Sequence, residues 1–459
     1  MTLSAKAGQL IKNFYLIFFR NKASTLKGRL AMSASGSFGL KIASAGLSFV
    51  IGLLLARLLG TAGYGTYAYA MNWVGLLAVP GALGLDRLLV REVAAYGTKA
   101  EWCFMRGLLK WSNQTVLMVS SGLALIAAFI GWVLVGRQDS LVLISFLIAL
   151  ISLPLVTLIR LRQSVLRGLN RVVAGQAPEM LIQPMLFICF IGVAYLLLGG
   201  NLTVPWALGI NIAATGIAFV VGTRVLIKTL PPAIEETFPS YKIREWIRSA
   251  LPLMLITGMK IINAKTDILM LGAMKGPKDA GIYAVANRGA ELITFILIAV
   301  NLALAPTVVN LFAAGEMKKL QSVIIRSTRV ILLFSLPIGL ALIIFGHWFL
   351  LLFGEAFTQG RTSLTILSFG QIVNASMGSV GLLLVMTGHE RSAAIGAGIS
   401  AVLNVILNAL LIPAWGIAGA SIATASSMIV SNILLAIWVY RTTRIHSTAL
   451  GIIALRRNR

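Results

Sequence analysis

Between Gly36 and Tyr440 the chain is a nearly unbroken succession of apolar stretches, and twelve of them are long enough to cross a bilayer. The stretches fall at 36–59, 66–90, 112–135, 140–159, 177–199, 203–223, 250–273, 281–312, 329–353, 363–387, 393–413 and 416–440. A helix needs ~20 apolar residues to traverse the hydrocarbon core. Inside lipid each backbone N–H and C=O must be satisfied within the segment, which leaves helices as the way to bury such stretches one after another. The expected fold is therefore an all-α polytopic membrane protein with about twelve transmembrane helices. With 58% hydrophobic and 12% charged residues, the composition lies far from soluble averages.

A charge at bilayer depth costs ~2.5–3.5 kcal/mol on insertion scales, so the charges that remain inside the stretches are informative. Lys41, Arg57, Asp86, Arg87, Lys260, Lys265, Asp267, Arg288 and Glu291 fall in the first, second, seventh and eighth stretches alone. Cations outnumber anions among them. Such clustering at matching places in two halves reads as the lining of a polar cavity that receives an anion, the arrangement of a transporter.

The net charge of +25 follows the membrane rather than nucleic acid. With the N-terminus taken as cytoplasmic, 29 of the 39 Lys and Arg lie in inner segments, 6 in spans and only Arg137, Lys275, Lys278 and Arg361 outside. That asymmetry is the positive-inside pattern with both termini cytoplasmic, in a plasma membrane of bacterial or archaeal type. Residues 8–20 are too short to cross; with Lys6, Lys12, Arg20, Lys22 and Lys27 around them they suit an interfacial helix on anionic lipids. Cys103 and Cys189 lie in different environments, so no disulfide is expected.

An internal repeat divides the chain. Gly60-Thr-Ala-Gly-Tyr-Gly-Thr-Tyr-Ala-Tyr-Ala70 aligns without gaps on Gly276-Pro-Lys-Asp-Ala-Gly-Ile-Tyr-Ala-Val-Ala286, each at the turn between the first two helices of its half. Arg167-Gly-Leu-Asn-Arg171 and Thr387-Gly-His-Glu-Arg391 form a second pair, between the fourth and fifth helices. Six spans per half is even, so both halves enter with one orientation and a site forms between them near the midplane. The expected organisation is a basic amphipathic segment at 1–33, a first lobe at 34–227, a linker at 228–249, a second lobe at 250–440 and a basic tail at 441–459.

Helical spacing assigns faces. Ser37, Lys41, Ser44 and Ser48 form one polar stripe on the first span. Lys260, Asn263 and Asp267 share a face of the seventh, with Lys265 on another side. Lys260 is deep, whereas Lys41 sits near enough to the inner surface to snorkel. Asp267 either neutralises a neighbouring lysine or binds a proton or cation. Arg288 and Glu291, three residues apart, either pair with each other or hold an arginine for phosphate, to which its planar fork is suited. Arg57 contacts substrate or snorkels outward, and Asp86 with Arg87 forms an inner gate, a structural pair or a substrate contact. Gln371 and Asn374, with Asn404 and Asn408, either bond sugar hydroxyls or join helices. Neither a nucleotide-binding loop nor a metal cluster among His347, His389 and His446 is present, so no cofactor or enzymatic role is expected.

The chain resembles the polysaccharide flippases of the multidrug/oligosaccharidyl-lipid/polysaccharide superfamily, and more narrowly the Wzx-type O-antigen and exopolysaccharide flippases. The resemblance rests on Ala56-Arg-Leu-Leu-Gly60 with Tyr64-Gly65-Thr66-Tyr67, on Ala82-Leu-Gly-Leu-Asp86 and Val90-Arg-Glu92, and on Thr266-Asp-Ile-Leu-Met-Leu-Gly272 with Ala280-Gly-Ile-Tyr283. It covers residues 34–440. It implies two six-helix lobes in a V, alternating access, and a cationic cavity for a polyprenyl-pyrophosphate-linked oligosaccharide. Lys41, Lys260, Lys265, Arg288, Arg57 and Arg87 are then the candidates for substrate, Asp267 and Glu291 for a coupling Na⁺ or proton, and Gln371 and Asn374 for sugar. The expected partners are the lipid-linked glycan, anionic lipids and other polysaccharide-assembly membrane proteins, without nucleic acid. The alternatives are a multidrug cation exporter of the same superfamily, which would favour acids in its cavity, and a membrane glycosyltransferase or polymerase, which would need a sizeable outer loop.

Overall fold

A computed structural model describes residues 26–135 and 140–449, with side chains from Gly36 onward. The proposed interfacial helix at 8–20, the Arg137 loop and the last ten residues lie outside the described residues. The helices are α1 Leu26–Ala82, α2 Leu85–Lys99, α3 Trp102–Val135, α4 Ser140–Gly168, α5 Val172–Leu197, α6 Val204–Thr229, α7 Ala233–Glu236, α8 Ile243–Lys275, α9 Pro277–Ala313, α10 Met317–Leu351, α11 Arg361–Met377, α12 Val380–Met386 and α13 Glu390–Thr443.

Two of these are too long to cross once. At 1.5 Å per residue, the 57 residues of α1 would reach about 85 Å if straight, against a hydrocarbon core of ~30 Å. The helix reverses at Gly60, whose φ of 68° and ψ of −175° a residue with a β-carbon resists. The 54 residues of α13 turn the same way at Gly416, φ 52°. Counting each as two passages, and α11 with α12 as one passage bent by 42°, the helices are consistent with twelve crossings.

The second span is shorter than the sequence suggests. The apolar run continues to Val90, but Leu83 and Gly84 both take positive φ and α2 starts afresh at Leu85. Asp86 and Arg87 thus stand on the first turn of a separate helix, and Arg87 is exposed there. Hydropathy alone cannot register this break, because both sides of it are apolar.

The stretch between the halves is held in place rather than free. The Ser240 N–H donates to the Cys103 carbonyl (3.0 Å), and Arg106 donates to the carbonyls of Glu235 (2.8 Å) and Thr237 (2.5 Å). The Lys242 amine lies 4.1 Å from the centre of the Phe104 ring, within cation–π range. Trp246, fully buried at the start of α8, packs on Trp111 and donates from Nε1 to the Tyr96 hydroxyl at 3.1 Å. The first two turns of α8 are therefore fastened to α2 and α3. At the other terminus, Gln321 exchanges two hydrogen bonds with the His446 backbone, and the Ser447 carbonyl accepts from Thr328 at 2.9 Å.

The two halves meet along α1, α8 and α9, and among the described residues the contact between α1 and α9 is the most extensive. At one end of this seam the repeated turns pack backbone to backbone. A β-carbon at Gly65 would overlap the Pro277 carbonyl, and one at Gly281 would overlap the Thr61 carbonyl. Tyr64 meets Phe357 edge-on beside them, 6.1 Å between ring centres. The glycines of the repeat thus serve close approach as well as turning.

Candidate functional site

Charged side chains gather on the seam at mid-helix. Arg288 of α9 reaches across to α1 and donates from Nη1 to the Ser48 carbonyl. The space is available because residue 52 is glycine: a β-carbon there would overlap the guanidinium. The guanidinium also lies 5.9 Å from the centre of the Tyr64 ring. Glu291, one turn further along α9, does not pair with Arg288; its Oε1 accepts from Asn287 Nδ2 at 3.0 Å. Lys265 of α8 lies against α1, where a β-carbon at Gly75 would touch its Cε at 3.8 Å. The charges of Glu291, Arg288 and Arg160 all act on its amine.

The only ion pairs among the described residues are Arg91–Glu92 and Lys319–Glu316, both away from this cluster. Lys265, Arg288 and Glu291 therefore share one neighbourhood without a mutual salt bridge. Lys265 and Arg288 are half-buried and Glu291 is exposed, which leaves all three able to meet a ligand or water.

The other candidates take varied places. Arg57 is a bridge rather than a snorkelling residue: its Nε and Nη2 donate to the carbonyls of Leu352 (2.6 Å) and Leu351 (3.0 Å) at the C-terminus of α10, where a cation meets the negative end of the helix. Lys41 is half-buried and Lys260 exposed, and neither amine meets a partner among the described residues. Asn374 is occupied by its neighbours, donating to Gln371 Oε1 (3.1 Å) and accepting from Asn432 Nδ2 (2.9 Å). Asn374 thus joins α11 to α13, whereas Gln371 bonds within its own helix.

Asp267 is turned away from both lysines into the core of the second half. Its Oδ1 accepts from Asn404 Nδ2 (3.0 Å) and Asn408 Nδ2 (2.8 Å) of α13, and its Oδ2 accepts from the Tyr283 hydroxyl (2.9 Å). Thr424 stands 3.1 Å from that hydroxyl. The carboxylate is 5% exposed and has no cationic partner among the described residues. The side-chain oxygens of Asn404 and Asn408 are buried without hydrogen-bond partners. The site is thus an acid ringed by oxygen and amide groups, two of the oxygens unsatisfied.

The repeat shows that this site has no twin. Tyr67, which aligns with Tyr283, also bonds the last helix of its half, accepting from Asn211 Nδ2 at 2.6 Å. The same register sets Ile51 on Asp267. Phe187 stacks on Tyr67, 6.3 Å between centres, and Thr215 bonds Asn211 at 3.2 Å, so the tyrosine of the first half meets neutral partners where that of the second half meets an acid.

Two further charged residues lie within the helices, Arg160 just past the fourth apolar stretch and Glu179 near the start of the fifth. Arg160 lies one residue beyond the estimated end of the fourth span, yet α4 runs unbroken to Gly168 and carries it into the field of Lys265. Glu179, which also feels Arg160, sits in a π-helical turn at Pro178–Ile182. Pro178 lacks the N–H that would continue the α pattern, and such turns often mark functional positions. A proline–acid pair inside an apolar run is the signal that could have drawn attention to it.

The model of a family of polysaccharide biosynthesis proteins matches residues 33–312, and that of the MatE family matches residues 251–410. A probable low-salt glycan biosynthesis flippase, Agl15 of Haloferax volcanii, is 25% identical over 407 residues, covering 88% of this chain and 82% of its own. Among solved structures, a multidrug resistance MATE family transporter of the MOP superfamily, in an inward-facing conformation, superposes with a TM-score of 0.70 at 15% identity, covering 89% of this chain and 94% of its own. The lipid II flippase MurJ, inward closed, gives 0.67 at 14% identity, covering 89% and 87%. The fold is therefore the one these transporters share.

Proposed function

The chain belongs to the polysaccharide biosynthesis protein family of the flippase superfamily, and from that premise we propose that it flips a polyprenyl-pyrophosphate-linked oligosaccharide from the cytoplasmic to the outer leaflet. The observation that carries the reading is the charged seam: Lys265 and Arg288 stand between the halves at mid-helix without a salt-bridge partner. A pyrophosphate crossing hydrocarbon needs cations to offset its desolvation, and these two offer an ammonium and a planar fork at one place. The name of the Haloferax relative as a glycan flippase supports the same substrate class. Export of cationic drugs would call for acids where these cations stand.

Driving force is the second part of the proposal. Asp267 is buried without a cationic partner among the described residues, and its three hydrogen bonds from Asn404, Asn408 and Tyr283 leave the charge itself uncompensated in the core. A proton or Na⁺ would neutralise it. Exchange at Asp267 would couple the gradient to the lobe motion through α8, which carries both Asp267 and Lys265. Flipping by reconstituted protein, measured with and without Na⁺ and proton gradients, tests both parts. Asp267→Asn is expected to remove the dependence on the gradient while the lipid-linked glycan still binds. Unchanged gradient dependence in that variant would exclude Asp267 as the coupling site.

The direction of transport requires both termini on the cytoplasmic side of the plasma membrane, as the distribution of lysine and arginine supports. Single cysteines at Thr61 or Lys278 should react with an impermeant maleimide in intact cells, and cysteines at Lys242 or Lys318 should not. The reverse pattern would invert the orientation and the direction of flipping with it.

A further inference from the structure

A groove of about 290 Å³ flanks the seam on the side of the first half. Its lining is apolar or aromatic throughout and includes Tyr69 and Trp73 of α1, Ala127 and Ile130 of α3, and Phe146 of α4. Tyr69 meets Trp73 edge-on at 6.3 Å, and Trp73 meets Phe146 edge-on at 6.4 Å, so the rings stand as perpendicular walls rather than as a flat patch. Ile126 and Ile130 are 58% and 49% exposed and form an open mouth. The inner wall belongs to the seam itself. The Tyr69 ring covers Gly272 of α8, and Gly75 on the same stretch of α1 lies against Lys265.

We propose that this groove receives part of the polyprenyl chain of the substrate while the pyrophosphate lies on Lys265 and Arg288. The proposal rests on the flippase reading above and adds where the lipid goes. A head group inside the seam remains covalently tied to a chain that must stay in the bilayer, so the chain has to leave the protein close to the cations. The groove meets that need because one helix, α1, forms both its wall and the surface facing Lys265. Its volume is at the small end for ligand pockets, about 300–1,000 Å³, which suits a segment of chain and not a whole lipid. Perpendicular aromatic rings suit the branched, unsaturated isoprenoid, whose methyl groups and double bonds pack on ring faces and edges.

The test uses the full-length protein in phospholipid vesicles and a polyprenyl-pyrophosphate oligosaccharide carrying a diazirine in its isoprenoid chain. Photolabelling is expected on the groove segments of α3 and α4, competed by unlabelled lipid-linked glycan and not by added phospholipid. Ala127→Trp, which fills the groove, should weaken binding of the full-length carrier about tenfold and leave a short-prenyl analogue bound as in wild type. Trp73→Leu, which opens the groove without adding bulk, should weaken the carrier in the same sense and serves if the filled variant does not fold. Labelling of the exposed Phe345–Trp348 face of α10 provides the background from bulk contact. Groove labelling that phospholipid competes away, or equal binding of the full-length carrier by wild type and both variants, overturns the proposal. Failure of wild type to bind even the short-prenyl analogue would overturn the flippase reading instead.

Discussion

Arg288→Ala is expected to reduce flipping of the lipid-linked glycan by about ten- to a hundredfold, the loss of one charge-assisted hydrogen bond to phosphate worth ~1.5–3 kcal/mol. The double variant Lys265→Ala/Arg288→Ala should fall to background, because the two cations act on one anion. Arg288→Lys should recover part of the activity only, since a point charge replaces a bidentate fork. Arg288 also ties α9 to the Ser48 carbonyl, so alanine there loosens the seam as well. Binding of a short-prenyl pyrophosphate glycan separates the two effects: lost phosphate contact weakens binding, whereas lost seam contact slows transport alone. Lys260→Ala, on an exposed side chain, should have the smaller effect. Wild-type flipping by the double variant would exclude the seam cations from the substrate path.

Gly65→Val is the substitution expected to alter conformation most. A β-carbon at this position overlaps the Pro277 carbonyl, and the neighbouring atom is backbone, which cannot step aside. Overpacking costs ~1–3 kcal/mol where neighbours can adjust, and here the two turns must separate to relieve it. The end of the seam that carries Gly60 and Gly276 should therefore open, and transport should fall at least about tenfold because one closed state of the cycle is lost. Spin labels at Thr61 and Lys278 would report a longer distance in the variant than in wild type. An unchanged distance with full activity would mean that the turns do not form a seal.

Much of the architecture was legible because it depends on local patterns. The apolar lengths give the crossings, and the glycine–tyrosine repeat marks the turns at Gly60 and Gly276. The site was less legible, because a helical wheel relates residues of one helix to each other and not to their neighbours. Lys260, Asn263 and Asp267 do share an angular sector, but Asn263 and Asp267 turn to α13, where Asn263 donates to the Ala397 carbonyl at 3.1 Å. Lys265, on another side of that helix, is the lysine that faces α1. Arg288 and Glu291 have the spacing of an ion pair, yet the arginine finds a backbone carbonyl 240 residues away, in a space kept open by Gly52. Nothing in local spacing announces a partner at that distance.

The register of the two halves bears on energetics as well as form. An acid at Asp267 and an isoleucine at its counterpart Ile51 mean that the duplicated scaffold keeps this carboxylate in one copy. If each cycle carries one monovalent cation through it, the stoichiometry is fixed at one charge from this source. A membrane potential of 100 mV then supplies ~2.3 kcal/mol per turnover, which bounds the leaflet imbalance it can sustain at about fiftyfold. Further work comes from the ion's concentration gradient and from the anionic head group's own response to the field. A second carboxylate at Ile51 would be the natural way to raise that ceiling, and the half-buried isoleucine that stands there has no charge to exchange.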